Sequence, residues 1–148
     1  MLGLPVFRFY DIDNAEATTL TGQDLIKFTE TITNHYYNKE LGDKKDYCIY
    51  TDTDSVFYPA LPLVQKRYPD ADVSNDEFMT KQILLVAKEV QDFINNGYDY
   101  FAGKFLNVKG EHKFDIKQEC VAKSAFWVTK KRYGQWIIND GGLTCDKL

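Results

Sequence analysis

Two aspartates, Asp52 and Asp54, are separated by a single residue in the run YTDTDSVF, with β-prone residues on both sides. This pattern predicts a β-hairpin over residues 47–58 that carries the acids at its tip. On an extended backbone the two side chains project to the same side, so their charges repel by about 1 kcal/mol in water and by more where water is excluded. The pair is therefore either an acidic surface turn or a site for a hard divalent cation such as Mg²⁺.

The remaining pattern predicts a single α+β domain over residues 1–148. Helical spacing of apolar residues predicts helices at about 14–37 and 76–102, preceded by the capping pairs Asp13–Glu16 and Ser74–Glu77. A stretch rich in Pro and Asp, 59–75, predicts a connector. β-prone runs within 112–139 predict strands, so the expected architecture is a mostly antiparallel sheet packed against two long helices.

Positive charge is concentrated in one part of the chain. The span from Lys104 to Arg132 holds eight basic and three acidic residues, a local charge of +5, whereas the rest carries −9. A phosphate backbone responds to the local field of a basic surface more than to net charge. The basic span is therefore either a solvated face or a surface for a polyanion.

Cysteine usage and hydropathy indicate where the chain works. Cys48, Cys120 and Cys145 are widely spaced and form no C-x-x-C pair, which argues against a disulfide framework or a cysteine zinc site and favours a reducing compartment. No apolar run approaches the roughly 18 residues of a membrane span, and no secretory leader opens the sequence. We therefore expect a soluble cytoplasmic domain without a membrane partner.

The run VTKKRYGQW places three consecutive cations, Lys130, Lys131 and Arg132, next to Tyr133. Successive strand side chains alternate, so one surface would receive mainly Lys130 with Arg132, or Lys131 with Tyr133. Bases beside an aromatic ring suit contacts to phosphate and sugar. The alternative is a charged hairpin end without a ligand.

Glu119 lies in the strand-like run IKQECVA, where a charged residue is uncommon. Pointing inward, it would add a further carboxylate near a metal site. Pointing outward, it would be a solvated strand residue.

Three segments together resemble the family B DNA polymerases. YTDTDS, residues 50–55, resembles the Y-G-D-T-D-S segment of that family, with Thr51 where glycine is usual. KKRY, residues 130–133, matches its K-K-R-Y segment, and FRFYDIDNAEATTLTGQ, residues 7–23, is similar to the segment before the long palm helix in the T-even phage type. The resemblance covers nearly the whole chain with the segments in the same order, and it implies the palm subdomain of a DNA polymerase.

The resemblance also implies roles for individual residues. Asp54 would be the principal ligand of two catalytic Mg²⁺ ions and Asp52 a supporting carboxylate, with Thr53 and Ser55 shaping the turn. Glu119 would match an acid close to the family's metal site. The KKRY residues Lys130, Lys131, Arg132 and Tyr133 would hold the primer–template DNA near the primer terminus, beside the incoming dNTP.

Two motifs of the family are missing from the sequence: D-x-x-S-L-Y-P-S, which supplies the partner aspartate, and K-x-x-x-N-S-x-Y-G, which binds the triphosphate. The chain resembles a palm piece that begins just after the second motif, without exonuclease, fingers or thumb. We expect an incomplete two-metal site that is inactive alone, with the other polymerase segments on another chain of a split enzyme or cut away. Faces that would meet those segments are expected to be apolar and exposed, favouring homo-oligomers.

Two other classes of function remain open at the level of sequence. One is a noncatalytic DNA-binding or assembly module derived from a polymerase. The other is a nucleotide-sugar glycosyltransferase, which also uses a D-x-D motif with a divalent ion but has no need of KKRY.

Overall fold

The computed structural model describes residues 2–148 and contains three helices and two small antiparallel sheets. The mixed content agrees with the predicted α+β class. One sheet is the hairpin β1–β2, and the other has the order β3–β4–β5. The elements in chain order are α1 (Ile12–Leu41), β1 (Tyr50–Asp52), β2 (Ser55–Phe57), α2 (Leu61–Arg67), α3 (Asp76–Lys104), β3 (Cys120–Thr129), β4 (Arg132–Asp140) and β5 (Leu143–Lys147).

Helix α1 begins earlier than the sequence predicts because its N-cap is Asp11 and not Asp13. The backbone of Asp11 is extended, with φ −152°, and its carboxylate accepts a hydrogen bond of 3.0 Å from the Asn14 amide. Asp13 lies inside the first turn, where its charge still interacts favourably with the helix dipole. The helix ends at Gly42, whose φ of +77° is the left-handed conformation usual after a helix.

Helix α3 is also capped one residue away from the predicted position. The Asn75 side chain, and not that of Ser74, accepts a hydrogen bond of 3.0 Å from the Phe78 amide. Ser and Asn are both favourable N-cap residues. A sequence in which they are adjacent therefore does not determine which of them becomes the N-cap.

The predicted connector 59–75 contains the two-turn helix α2. Pro62 lies in its first turn, where the missing amide hydrogen costs nothing. Leu63 and Val64 are completely buried and join Tyr37 of α1 and Val86 of α3 in the core. A helix of seven residues is too short to display a period, so its stability comes from this burial and not from local preference.

Helices α1 and α3 also pack through a second, mainly aromatic contact. Phe28 of α1 lies 5.0 Å, between ring centroids, from Phe101 of α3. Thr29 is buried beside them, and its hydroxyl shares a 2.7 Å hydrogen bond with the Tyr98 hydroxyl. Gly97 allows the close approach, because a Cβ there would lie 2.7 Å from the Ile32 side chain.

Residues 112–119, predicted to begin the strands, form no strand. This extended segment runs along α3, and the Asn95 side chain both donates to the carbonyl and accepts from the amide of Ile116, at 3.0 and 2.9 Å. The side-chain oxygen of Gln91 accepts from the Gln118 amide. Side-chain amides thus replace a neighbouring strand, which a β-prone pattern cannot anticipate. The first strand of the larger sheet starts at Cys120.

The larger sheet leaves many apolar side chains in contact with solvent. Phe126 and Val128 of β3 and Leu143 of β5 are 64%, 74% and 75% exposed, and Val6 and Phe9 before α1 are exposed as well. No helix within residues 2–148 has both the length and the apolar character needed to cross a bilayer.

Candidate functional site

The acidic pair lies at the turn of the hairpin β1–β2, as the sequence predicts. Asp52 is paired across the strands with Ser55, which leaves Thr53 and Asp54 as the two turn residues. The Ser55 hydroxyl donates to the Asp52 carbonyl at 3.1 Å, and the Thr53 hydroxyl donates to an Asp52 carboxylate oxygen at the same distance. Both hydroxyls therefore bond within the turn, which is where the resemblance would place turn-shaping residues.

The two carboxylates of the hairpin have different surroundings. The Asp52 side chain is 15% exposed, whereas Asp54 at the tip is exposed. In residues 2–148 no basic side chain lies within ion-pair distance of Asp54, and Asp52 has one such neighbour. Asp54 is consequently the carboxylate more open to a ligand arriving from solvent.

The basic residues lie at the turn between β3 and β4. Thr129 is paired with Arg132, so Lys130 and Lys131 form a two-residue turn, with Lys131 in the left-handed conformation at φ +62°. Of the two alternatives left open by the sequence, the structure turns Lys131 and Tyr133 toward the acidic hairpin. Lys130 and Arg132 are exposed.

Four aromatic rings join the acidic hairpin to the basic turn. Tyr50 and Phe57 of the hairpin contact Trp127 and Tyr133 of the larger sheet, with all ring centroids 5.7–6.4 Å apart. We refer to these residues as the four-ring cluster. Aromatic pairs at such distances contribute roughly 0.5–1.5 kcal/mol beyond their buried area. The cluster therefore fixes the relative position of the acidic hairpin and the basic turn.

Lys131 makes two contacts across this junction. Its backbone amide donates a 3.0 Å hydrogen bond to the Tyr50 hydroxyl, and its ammonium nitrogen lies 3.6 Å from Oδ1 of Asp52. The second contact is an ion pair that neutralises part of the charge on Asp52. The structure thus brings Asp52 and the KKRY turn together.

The structure does not bring Glu119 to this site. Its side chain is exposed, and it directly precedes β3, whose opposite end carries the basic turn. Ten strand residues separate those ends, which corresponds to roughly 30 Å. The backbone carbonyl of Glu119 accepts from the Gly141 amide, where β4 turns into β5. This placement matches the outward-facing alternative for Glu119.

The oxygen donors at the hairpin tip are of the type that a divalent cation binds, but they are too few to complete its coordination sphere. Asp52 and Asp54 provide hard carboxylate oxygens, the ligands that Mg²⁺ takes together with substrate phosphates. Within residues 2–148 there is no group of three His, Cys, Asp or Glu side chains arranged to hold a metal ion. A cation bound here would draw its remaining ligands from water, substrate or another polypeptide segment.

Sequence reasoning did not assign a role to Tyr50, Phe57 or Trp127. The available signal was the presence of large aromatics within or close to both motifs, in predicted strands. Such residues are ordinarily core residues, and only the tertiary structure places them between the two turns.

Comparison with known proteins finds similarity to two DNA-directed DNA polymerases of phages. The chain is 28% identical over 145 residues to the DNA-directed DNA polymerase of Escherichia phage RB69, covering 89% of this chain and 15% of that protein. It is 28% identical over 141 residues to the enzyme of Enterobacteria phage T4, covering 89% of this chain and 16% of that protein. No family model and no solved structure matches the chain.

The predicted resemblance to the polymerases of T-even phages is confirmed by these two similarities. Both extend over most of the chain. The chain spans about 15% of the length of these relatives.

Proposed function

We propose that this chain supplies part of the palm of a family B DNA polymerase. The observation that supports this most directly is the junction of its two motifs: Lys131 of the KKRY turn lies 3.6 Å from Asp52 of the acidic hairpin. The two motifs are 76 residues apart in sequence, counted from Asp54 to Lys130, and the fold brings them into contact. Similarity to phage polymerases adds the reaction class.

In this proposal Asp54 is the principal metal ligand and Asp52 a supporting carboxylate. Bound Mg²⁺ would supply charge neutralisation for the triphosphate and activation of the primer 3′-hydroxyl. The protein's part is to hold both carboxylates on a rigid hairpin, for which the four-ring cluster is suited. Lys130 and Arg132, exposed beside it, would bind the primer–template backbone without reading sequence.

The partners in this proposal are primer–template DNA, a dNTP and the remaining polymerase segments. A two-metal site requires carboxylates from more than one segment, since two ions lie roughly 3.5–4 Å apart. This chain offers one such segment, so the second comes from elsewhere in the polymerase. Action in the cytoplasm of a phage-infected host follows from the same reading.

Primer extension tests the proposal. The purified chain, given primed DNA, dNTPs and Mg²⁺, is expected to incorporate no nucleotide. Addition of a polypeptide that carries the D-x-x-S-L-Y-P-S and K-x-x-x-N-S-x-Y-G motifs is expected to restore incorporation. Asp54→Asn should abolish the restored activity, whereas Asp70→Asn, in the segment between α2 and α3, should leave it unchanged. Incorporation by the chain alone would contradict the assignment of an incomplete site.

A noncatalytic DNA-binding or assembly module is the second candidate. It is favoured by the partial neutralisation of Asp52, which Lys131 already provides without any metal. In that case Asp54→Asn would leave primed-DNA affinity unchanged and no added polypeptide would restore synthesis. Binding of a sugar nucleotide in place of primed DNA would instead support a D-x-D glycosyltransferase.

A further inference from the structure

Lys131 is the one residue of the basic turn that has both its backbone and its side chain engaged with the acidic hairpin. Its amide hydrogen goes to the Tyr50 hydroxyl, and its ammonium group faces Asp52. These two contacts are independent, because one uses the main chain and the other the flexible end of a long side chain. The ammonium group can therefore move while the turn stays where it is.

The environment of the ion pair makes such a movement easy. The Lys131 side chain is 67% exposed and its nitrogen lies 3.6 Å from the Asp52 oxygen, which is longer than a hydrogen bond. Although Asp52 is only 15% exposed, an ion pair with one end in water and no hydrogen bond is weak. A divalent cation bound at the hairpin would neutralise Asp52 far more strongly than a single ammonium group does. It would also repel that ammonium group.

We propose that Lys131 exchanges ligands: its ammonium group pairs with Asp52 in the cation-free chain and with an acceptor oxygen of a nucleic-acid strand once a divalent cation has bound. The four-ring cluster and the Tyr50 hydrogen bond hold the turn in place during this exchange. Cation and nucleic acid consequently bind with positive coupling, and linkage requires that each raises the affinity of the other by the same factor. This inference rests on the proposed function, which supplies both ligands, the divalent cation and the nucleic acid.

Lys130 provides a matched control within the same turn. It has the same charge and adjacent backbone, but in residues 2–148 its ammonium group is not within ion-pair distance of a carboxylate. Loss of either lysine removes one positive charge from the protein surface that would bind nucleic acid. Only loss of Lys131 removes the exchange.

The test measures affinity for fluorescently labelled primed DNA, by anisotropy, with and without Mg²⁺ at constant ionic strength. Because Mg²⁺ also neutralises the carboxylates directly, some coupling is expected in every variant. Lys131→Gln should reduce the coupling factor by about two- to five-fold, the range set by a partly exposed ion pair. Lys130→Gln should weaken DNA binding in both conditions and leave the wild-type coupling factor. Equal coupling factors in the two lysine variants would overturn the exchange.

A second measurement needs no metal. Asp52→Asn removes the partner of Lys131 and leaves its ammonium group free for nucleic acid. In the Mg²⁺-free chain, Lys131→Gln should therefore weaken DNA binding more in the Asp52→Asn background than in the wild type. The same loss in both backgrounds would contradict the proposal. Circular dichroism of each variant verifies that the fold is retained.

Failure of the exchange and failure of the proposed function give different results. A wild-type chain that binds neither primed DNA nor Mg²⁺, even with the added polypeptide that carries the two missing motifs, would overturn the proposed function and the exchange with it. A chain that binds both ligands, with coupling independent of Lys131, would overturn the exchange alone.

Discussion

At the scale of single residues, the two turns that carry charge share an unusual backbone feature. Thr53 and Lys131 each occupy a two-residue hairpin turn with positive φ, +47° and +62°. Glycine or asparagine is normally found in such conformations, and a β-branched residue adopts them at a cost of order 1–3 kcal/mol. Backbone strain of this kind is concentrated at functional sites in proteins, and here it coincides with the acidic pair and the basic turn.

Relief of the strain at Thr53 should stabilise the chain. Thr53→Asn places a residue that tolerates the left-handed region at the same position, and we expect the free energy of unfolding to rise by about 0.5–1 kcal/mol. Urea denaturation at pH 7 measures the change. The same substitution at Thr51, which lies in the extended strand β1, should instead destabilise, because asparagine is unfavourable in strands. A loss of stability in Thr53→Asn would show that the turn is not strained.

The Tyr50 hydroxyl offers a second test at this scale. Tyr50→Phe keeps the ring in the four-ring cluster and removes the acceptor of the Lys131 amide hydrogen. We expect a loss of about 0.5–1 kcal/mol in the free energy of unfolding, at the lower end for hydrogen bonds because water can reach the freed amide. Tyr133→Phe is the control, since that hydroxyl has no hydrogen bond within residues 2–148. Equal effects of the two substitutions would mean that the Tyr50 hydrogen bond does not stabilise the junction.

At the scale of elements, the short helix α2 is held to α3 by burial and by one ion pair. Leu63 and Val64 supply the buried surface, and Arg67 binds Glu89 through two hydrogen bonds, one of them 2.9 Å long. The hydrogen bonds from Arg67 hold the pKa of the Glu89 carboxylate below its ordinary value. The chain leaving the acidic hairpin is therefore anchored to the long helix directly after β2.

This ion pair predicts a pH-dependent contribution to stability. Because the folded-state pKa of Glu89 is lowered, the contribution is present above the unfolded pKa and is lost as the pH falls through the folded pKa. Arg67→Met should cost about 0.5–1 kcal/mol at pH 7, a value limited by the exposure of both partners, and much less near pH 3.

Urea denaturation of the wild type and of Arg67→Met at both pH values measures this difference. Lys66→Met, beside Arg67 on α2, is the control and should show no such pH dependence. A cost for Arg67→Met that is the same at both pH values would exclude the ion pair as its origin.

At the scale of the whole molecule, the exposed apolar surface of the larger sheet is the feature that predicts association. The larger sheet exposes Phe126 and Val128 near the basic turn and Leu143 at its other end, and exposed apolar patches mark interaction surfaces in soluble proteins. In the proposed function, such surface would be covered by the remaining polymerase segments. In their absence, the same surface should promote self-association.

Light scattering over a range of concentrations tests this expectation. The wild-type chain should associate as concentration rises, and Val128→Lys should shift association to higher concentration by placing a charge on the sheet face. Val6→Lys, which adds the same charge in the segment before α1 and not on a strand of the sheet, should have a smaller effect. A wild-type chain that remains monomeric at high concentration would contradict the expectation.

Local signals in the sequence predicted the elements that depend on near neighbours. The two long helices follow from apolar periodicity, and the hairpin at Asp52 and Asp54 follows from acids between β-prone runs. Local signals did not predict the features that are stabilised by residues distant in the sequence. Helix α2 exists because Leu63 and Val64 fill the core. Residues 112–119 form no strand, and side chains of α3 bind the backbone there: Asn95 binds that of Ile116, and Gln91 binds that of Gln118.

In the candidate site too, some features were predictable from the sequence and others were not. By itself the sequence determined the chemical content of both turns, two carboxylates and a run of cations, and their resemblance to polymerase motifs. Only the tertiary structure decided that Lys131 and Tyr133 face the hairpin, that four rings lock the turns together, and that Glu119 lies at the far end of β3. The physical reason is that composition and local periodicity depend on residues close together in the sequence. The contact between the two hairpins depends instead on packing between residues 70 or more positions apart.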